Sequence, residues 1–300
     1  MTVSATPDAS ASQHPLRGIV LTLAGVFLLT SSDAAIKWVT GSLPFGEALF
    51  LRTLFVILPI AVIVWHRGGL ACLRIVSPKN LLLRALFGTG STFLIVASLS
   101  LLPIGEVLTL VFVTPVLVTA LAPLLLGERV GWHRWAAVLA GFAGVLIMLQ
   151  PDTNAFHVAA LLPLAAALVA SLRDIITRRI SASESSLAIL VFSILGMLLA
   201  SLATAPFGWR PIGLTEIAVA GVSGILFGIA HYMMIESYRF AEASLVAPFR
   251  YTNLIWAPLV GYLLFGEVPD KALLAGAPLI GASGLYIIWR ERALRRAQQR

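Results

Sequence analysis

The sequence predicts an all-α, polytopic membrane protein of ten transmembrane helices in two inverted five-helix repeats. Three observations lead there. Apolar residues make up 59% of the 300 positions and charged residues 12%, against about 25% charged in a soluble chain, so most of the surface must face lipid. The apolar residues fall in runs of about 20, the length that crosses a hydrocarbon core. The second half of the chain also repeats features of the first.

The elements follow in order. Residues 1–16 are polar and read as a disordered tail. They lack the basic region that opens a signal peptide. Ten apolar helices are expected over 17–38, 47–65, 81–101, 105–126, 133–149, 156–178, 186–205, 215–238, 243–265 and 271–289. Residues 291–300 form a basic tail, suited to anionic headgroups of the inner leaflet. The organisation is thus a cytoplasmic tail over 1–16, a first repeat over 17–150, a second, inverted repeat over 151–290 and a cytoplasmic tail over 291–300. With the N-terminus placed in the cytoplasm, 16 of the 21 Lys and Arg residues lie on the cytoplasmic side and three (Lys37, Arg210, Lys271) on the other. That bias sets orientation, with both termini cytoplasmic and the inner membrane as the location.

The repeat rests on named residues. Gly127-Glu128, after helix 4, recurs as Gly266-Glu267 after helix 9, 139 positions later. Gly141 and Gly144 in helix 5 answer Gly281 and Gly284 in helix 10. Thr30-x-x-Asp33-x-x-x-Lys37 in helix 1 answers Ser171-x-x-Asp174-x-x-x-Arg178 in helix 6. Five is odd, so the second copy enters the membrane inverted, the architecture of alternating-access carriers.

These motifs and the five-plus-five layout resemble the EamA type of the drug/metabolite transporter superfamily. The resemblance covers nearly the whole chain after the tail. It implies a basket of ten helices around a central cavity built mainly by helices 1–4 and 6–9, with helices 5 and 10 behind it. It also implies transport of small metabolites, often outward. Within the superfamily the chain is similar to exporters of aromatic and other neutral amino acids.

Candidate site residues follow from depth. His231 and Arg250 sit nine or ten residues either side of the turn joining helices 8 and 9, about 14 Å deep and near the midplane. Ionisable residues there are costly, so they should face a cavity or a partner. Tyr232, Tyr251, Asn253 and Trp256 stand near them. Arg250 would hold a carboxylate and the aromatics would stack on the rest of the cargo. A structural role stays open: Arg250 paired with Glu236, and His231 as a satisfied interior residue. The repeat adds Thr92, Phe93, Phe112 and Thr114 from helices 3 and 4. Asp33 with Lys37, and Asp174 with Arg178, are spaced to bridge on their own helices at opposite faces, as gates that close alternately or as interfacial anchors. Arg52 would pair with Glu47 or reach an outer vestibule. Glu128 and Glu267 would cap or link helix ends. Asp33, Glu106, His231 and Glu236 could couple transport to protons.

No cofactor or metal is expected, because neither a phosphate-binding loop nor a Cys/His cluster of metal spacing occurs. The lone Cys72 can close no intrachain disulfide. Nucleic acid is excluded as a partner, since the basic residues are scattered among apolar spans. The expected function is secondary export of small organic metabolites, amino acids including aromatic ones, by a monomer or a dimer in the bilayer. The alternatives are an exporter of other metabolites or drugs and, from different classes, a passive channel for small solutes and a membrane enzyme. The expectation is that the chain is not an enzyme.

Overall fold

The computed structural model describes residues 15–69, 73, 75–126, 132–149, 158–180, 183–240 and 247–298. The described residues are helical between short connections. The helices are α1 (Pro15–Val39), α2 (Phe45–His66), α3 (Pro78–Leu99), α4 (Ile104–Val111), α5 (Thr114–Leu126), α6 (Trp132–Leu149), α7 (Leu161–Ile180), α8 (Ser186–Leu202), α9 (Leu214–Phe240), α10 (Asn253–Phe265) and α11 (Lys271–Gln298). Eight segments are long and apolar enough to cross a membrane, and Trp135–Met148 is a shorter apolar helix. The exterior is correspondingly apolar: Leu54, Leu58 and Val62 on α2 and Leu82 and Leu86 on α3 are exposed. No water-soluble fold would leave such rows uncovered.

Among the described residues, expected helices 4 and 9 depart from α-helical geometry well inside the span. Helix 4 is α4 and α5 with a break at Phe112 and Val113. Pro115 has no N–H to offer the Val111 carbonyl, and the Thr114 hydroxyl donates to that carbonyl instead, at 2.6 Å. Helix 9 opens as a 3-10 turn, Ala247–Thr252, before α10. There the Thr252 hydroxyl donates to the Phe249 carbonyl at 2.7 Å. The α-helix resumes at Thr114 and at Asn253, 139 positions apart, so the repeat extends to the interruption itself. The turn and α10 together reach about 32 Å, enough for a hydrocarbon core. At the other end of α10, Gly266 takes φ +66° and terminates the helix, as glycine does without steric cost.

The packing exchanges the halves. Helix α1 packs on α9, and its repeat partner α7 packs on α3. Helix α2 packs on α9 as α8 does on α3, and α1 meets α10 as α7 meets α5. The pairs α2–α8, α4–α10 and α6–α11 also pack across the two copies. Each copy therefore finds its main partners in the other. An odd number of crossings separates related helices, so they run in opposite directions. Small residues permit the close approaches. A Cβ on Gly144 would lie 2.9 Å from the Gly276 carbonyl oxygen, and one on Gly276 would lie 2.4 Å from Met148 Cγ. The glycine faces of α6 and α11 are thus spent on internal packing.

Candidate functional site

A cavity lies between α2, α3, α7, α8 and α9, enclosing about 740 Å³ of empty space, part of it open to the outside. Helices α6 and α11 take no part in its wall. Its two ends are the Lys37 face, where α1 ends and α2 begins, and the Arg67 face, where α2 ends and α3 begins. Arg52 of α2 and Arg84 of α3 line it, with Arg173 of α7. His231 and Phe227 come from α9, and Thr89, Thr92 and Ser193 supply hydroxyls. Val56, Ile194 and Met197 are among its apolar surfaces.

Helix geometry places the charges. Arg52 is seven residues into α2, about 10 Å from the Lys37 face. Arg84 is six residues into α3 and Arg173 seven from the end of α7, each about 10 Å from the Arg67 face. The cavity thus carries cations at both ends, with about 10 Å between them along the membrane normal.

At the first end, Arg52 Nη2 reaches Asp33 Oδ1 at 3.4 Å, and both side chains are nearly out of solvent. The Arg52 guanidinium also lies 3.9 Å from the Phe227 ring centre, a cation–π contact. His231 packs on the same ring at 4.1 Å, with Nδ1 3.1 Å from the Phe227 carbonyl oxygen. At the second end, Arg173 pairs with Asp174 at 2.9 Å. Arg84 donates to the hydroxyls of Thr177 and Ser193. Among the described residues no carboxylate lies within ion-pair distance of Arg84.

The expected site residues divide. Thr92 and His231 line the cavity. Arg250 does not. It is exposed on the 3-10 turn, outside the cavity wall. Its expected inward position assumed an α-helix, and a 3-10 turn rotates each residue about 20° further. Tyr251, buried, packs on Phe112 at 5.2 Å, joining the two helix breaks. Asn253 accepts a hydrogen bond from Thr30 of α1. Trp256 meets Phe27 edge-on at 5.3 Å, and Phe93 meets Phe45 at 6.1 Å. Thr114 bonds the helix break. Tyr232 lies against Arg67, which also pairs with Glu236 and so ties α2 to α9 at the Arg67 face. These residues hold helices together outside the cavity wall.

The expected Asp33–Lys37 bridge is replaced by contacts between helices. Asp33 takes Arg52, in place of the expected Glu47 partner for that arginine. Lys37 pairs with Glu267 at 2.8 Å and donates to the Leu102 carbonyl. Glu267 also accepts from the Ile104 N–H at 2.8 Å, so it links helix ends as expected. Asp174 pairs with its neighbour Arg173; the side chain of Arg178 lies outside the described residues, as does Glu128. Desolvation explains the shift. A buried charge gains more from a partner on an adjacent buried helix than from one a turn away at the interface.

Sequence reasoning missed two carboxylate anchors. Glu47, at the Lys37 face, accepts from the Arg210 N–H at 3.0 Å. Glu184, at the Arg67 face, accepts from the N–H of Val76 and of Ser77, the former at 3.0 Å. Their spacing of 137 residues was the available signal. Glu184→Gln removes a charge-assisted pair and should lower stability by about 1–3 kcal/mol, read by thermal unfolding of the purified protein; an unchanged midpoint would show that the amide serves as well.

The sequence pattern of the EamA-like transporter family matches residues 16–150 and again 157–290. The chain belongs to the EamA-like transporter family. It is 32% identical to a riboflavin transporter of Rhizobium johnstonii over 95% of this chain and 96% of that one. It is 29% identical to an S-adenosylmethionine uptake transporter of Rickettsia prowazekii, over 92% and 94%. A pseudopaline exporter of Pseudomonas aeruginosa is 25% identical over 88% and 93%. A solved crystal structure superposes with a TM-score of 0.64 at 21% identity, covering 92% of this chain and 98% of that one, a likeness of fold. These family relatives are named transporters, and a small-metabolite transporter in a membrane is what this member is.

Proposed function

We propose that this chain is a secondary carrier for an amphipathic metabolite of amino-acid to nucleoside size, working by alternating access between its two inverted halves. The observation that carries this reading is the mid-depth cavity walled by α2 and α3 from one copy and α7, α8 and α9 from the other. Rocking the bundle of α1, α2 and α9 against that of α3, α7 and α8 around such a site would expose it to each face in turn. Amino acids, aromatic ones among them, remain the proposed cargo class: they carry a charged end for an arginine and a flat or apolar end for Phe227, Ile194 and Met197. S-adenosylmethionine, named for a relative, also joins an amino-acid end to a ring.

The Lys and Arg bias supports cytoplasmic termini and the inner membrane, with the Arg67 face inward. The relatives include uptake carriers and an exporter, and a carrier cycle runs either way with the gradient. Export is the direction we propose, as named for the pseudopaline exporter among the relatives; an inside-negative potential adds outward drive only for a cargo of net negative charge, by about 2.3 kcal/mol per charge per 100 mV.

The test is counterflow in proteoliposomes loaded with unlabelled solute, using phenylalanine, riboflavin and S-adenosylmethionine in turn. A carrier accumulates external label transiently when the same solute is inside. Label that only equilibrates would indicate a channel, and chemically altered label an enzyme.

A further inference from the structure

We infer that Arg84 and Arg173, with the hydroxyls of Ser193 and Thr177, form an oxyanion subsite that takes the carboxylate of the cargo. This rests on the carrier reading and adds what the cargo must carry. The two arginines flank Gly88. A Cβ at that position would lie 3.6 Å from Arg173 Cδ and 4.0 Å from Arg84 Nη1, so the two side chains share one gap on the α3 surface. Charged groups acting on Arg84 are Arg173 and Asp174, and Asp174 is engaged by Arg173 through a short pair. The side chain of Asp174 is also 42% exposed, which screens it. The nearby carboxylate is thus taken up by Arg173, and Arg84 has only neutral oxygens as close partners.

A cation so placed is costly in a membrane interior. The arrangement is completed by one more negative charge. Guanidinium geometry fits a carboxylate with two parallel hydrogen bonds, and the Ser193 and Thr177 hydroxyls, which donate to the Ile189 and Arg173 carbonyls and accept from Arg84, hold that guanidinium in place. The other end is already satisfied, since Arg52 holds Asp33 and stacks on Phe227. The subsite thus has a polarity. The carboxylate lies toward the Arg67 face, and the ring or apolar body lies toward Phe227 and His231.

The test compares two probes of one shape, phenylacetate and phenylacetamide, as competitors of whichever panel solute shows counterflow, with wild type and the variants Arg84→Gln and Arg173→Gln. Gln keeps a partner for Ser193 and Thr177, and a monodisperse elution profile checks folding. Phenylacetate is expected to compete and phenylacetamide to compete about 10–100-fold more weakly. Each variant should erase that preference. Thermal stabilisation of the purified protein by phenylacetate, lost in both variants, is the second readout. Equal competition by both probes, or a preference that survives both substitutions, overturns the subsite while counterflow keeps the carrier reading. Absence of counterflow for every panel solute overturns the carrier reading, and the thermal readout then decides the subsite by itself.

Discussion

Asp33→Asn should cost about 3–5 kcal/mol, the penalty for removing one partner of a buried ion pair. Asp33 and Arg52 are both nearly out of solvent, and Arg52 has Asp33 as its carboxylate partner. The amide leaves a guanidinium held between α1, α2 and the Phe227 ring with no counter-charge. The double variant Asp33→Asn with Arg52→Gln removes both charges and should recover most of the loss, because two neutral amides can hydrogen-bond where two charges stood. Transport is expected to stay low in the double variant, since Arg52 lines the cavity. Reversible unfolding in micelles, run as a double-mutant cycle, measures the coupling. An Asp33→Asn protein as stable as the parent would mean that Arg52 is neutralised elsewhere, and the buried pair would lose its structural importance.

Gly224→Val should prevent correct assembly. A Cβ at Gly224 would lie 2.3 Å from the Arg52 carbonyl oxygen and 2.8 Å from Phe55 Cβ. The obstruction is largely main chain, so no rotamer change relieves it and α2 must move away from α9. Overpacking costs about 1–3 kcal/mol where side chains can adjust, and here the backbone sets a higher figure. The same crossing carries Gly228, where a Cβ would meet Pro59 Cγ at 2.4 Å. The yield of monodisperse protein after detergent extraction should fall sharply. Gly90→Ala is the control. Its Cβ would meet Val169 Cγ1 at 3.6 Å, an ordinary contact, and alanine favours the helix. Equal yields for the two variants would show that α2 and α9 are not held at this separation.

The spans were legible because hydropathy and length are local properties. The Gly-Glu repeat was legible for a related reason: Gly266 ends a helix and Glu267 reaches across to Ile104 and Lys37, so two adjacent residues carry the signal. The charged lining was harder to read. Arg84 and Arg173 are among the 16 Lys and Arg residues that the charge bias counts as cytoplasmic, yet each lies about two turns inside a helix and lines the cavity. A count of charges near helix ends does not say whether a long side chain snorkels outward or turns inward. Arg250 failed in the opposite sense, because depth along the chain was right to compute only for a regular α-helix. The partners of Asp33 and Lys37 come from distant positions, Arg52 and Glu267, and no spacing rule within one helix could have named them.

The exchange of partners between the copies has a consequence for biogenesis. Helix α1 finds its main neighbour in α9, which begins 175 residues after α1 ends. At a synthesis rate of about 5–20 residues per second, roughly 9–35 s pass before that neighbour emerges from the ribosome. Throughout that interval Ser32, whose hydroxyl ends up donating to the Ser223 carbonyl at 2.9 Å, must be sheltered by lipid, insertase or a provisional neighbour. The newborn first half is therefore the stage at which this protein most depends on the cell's insertion and quality-control machinery.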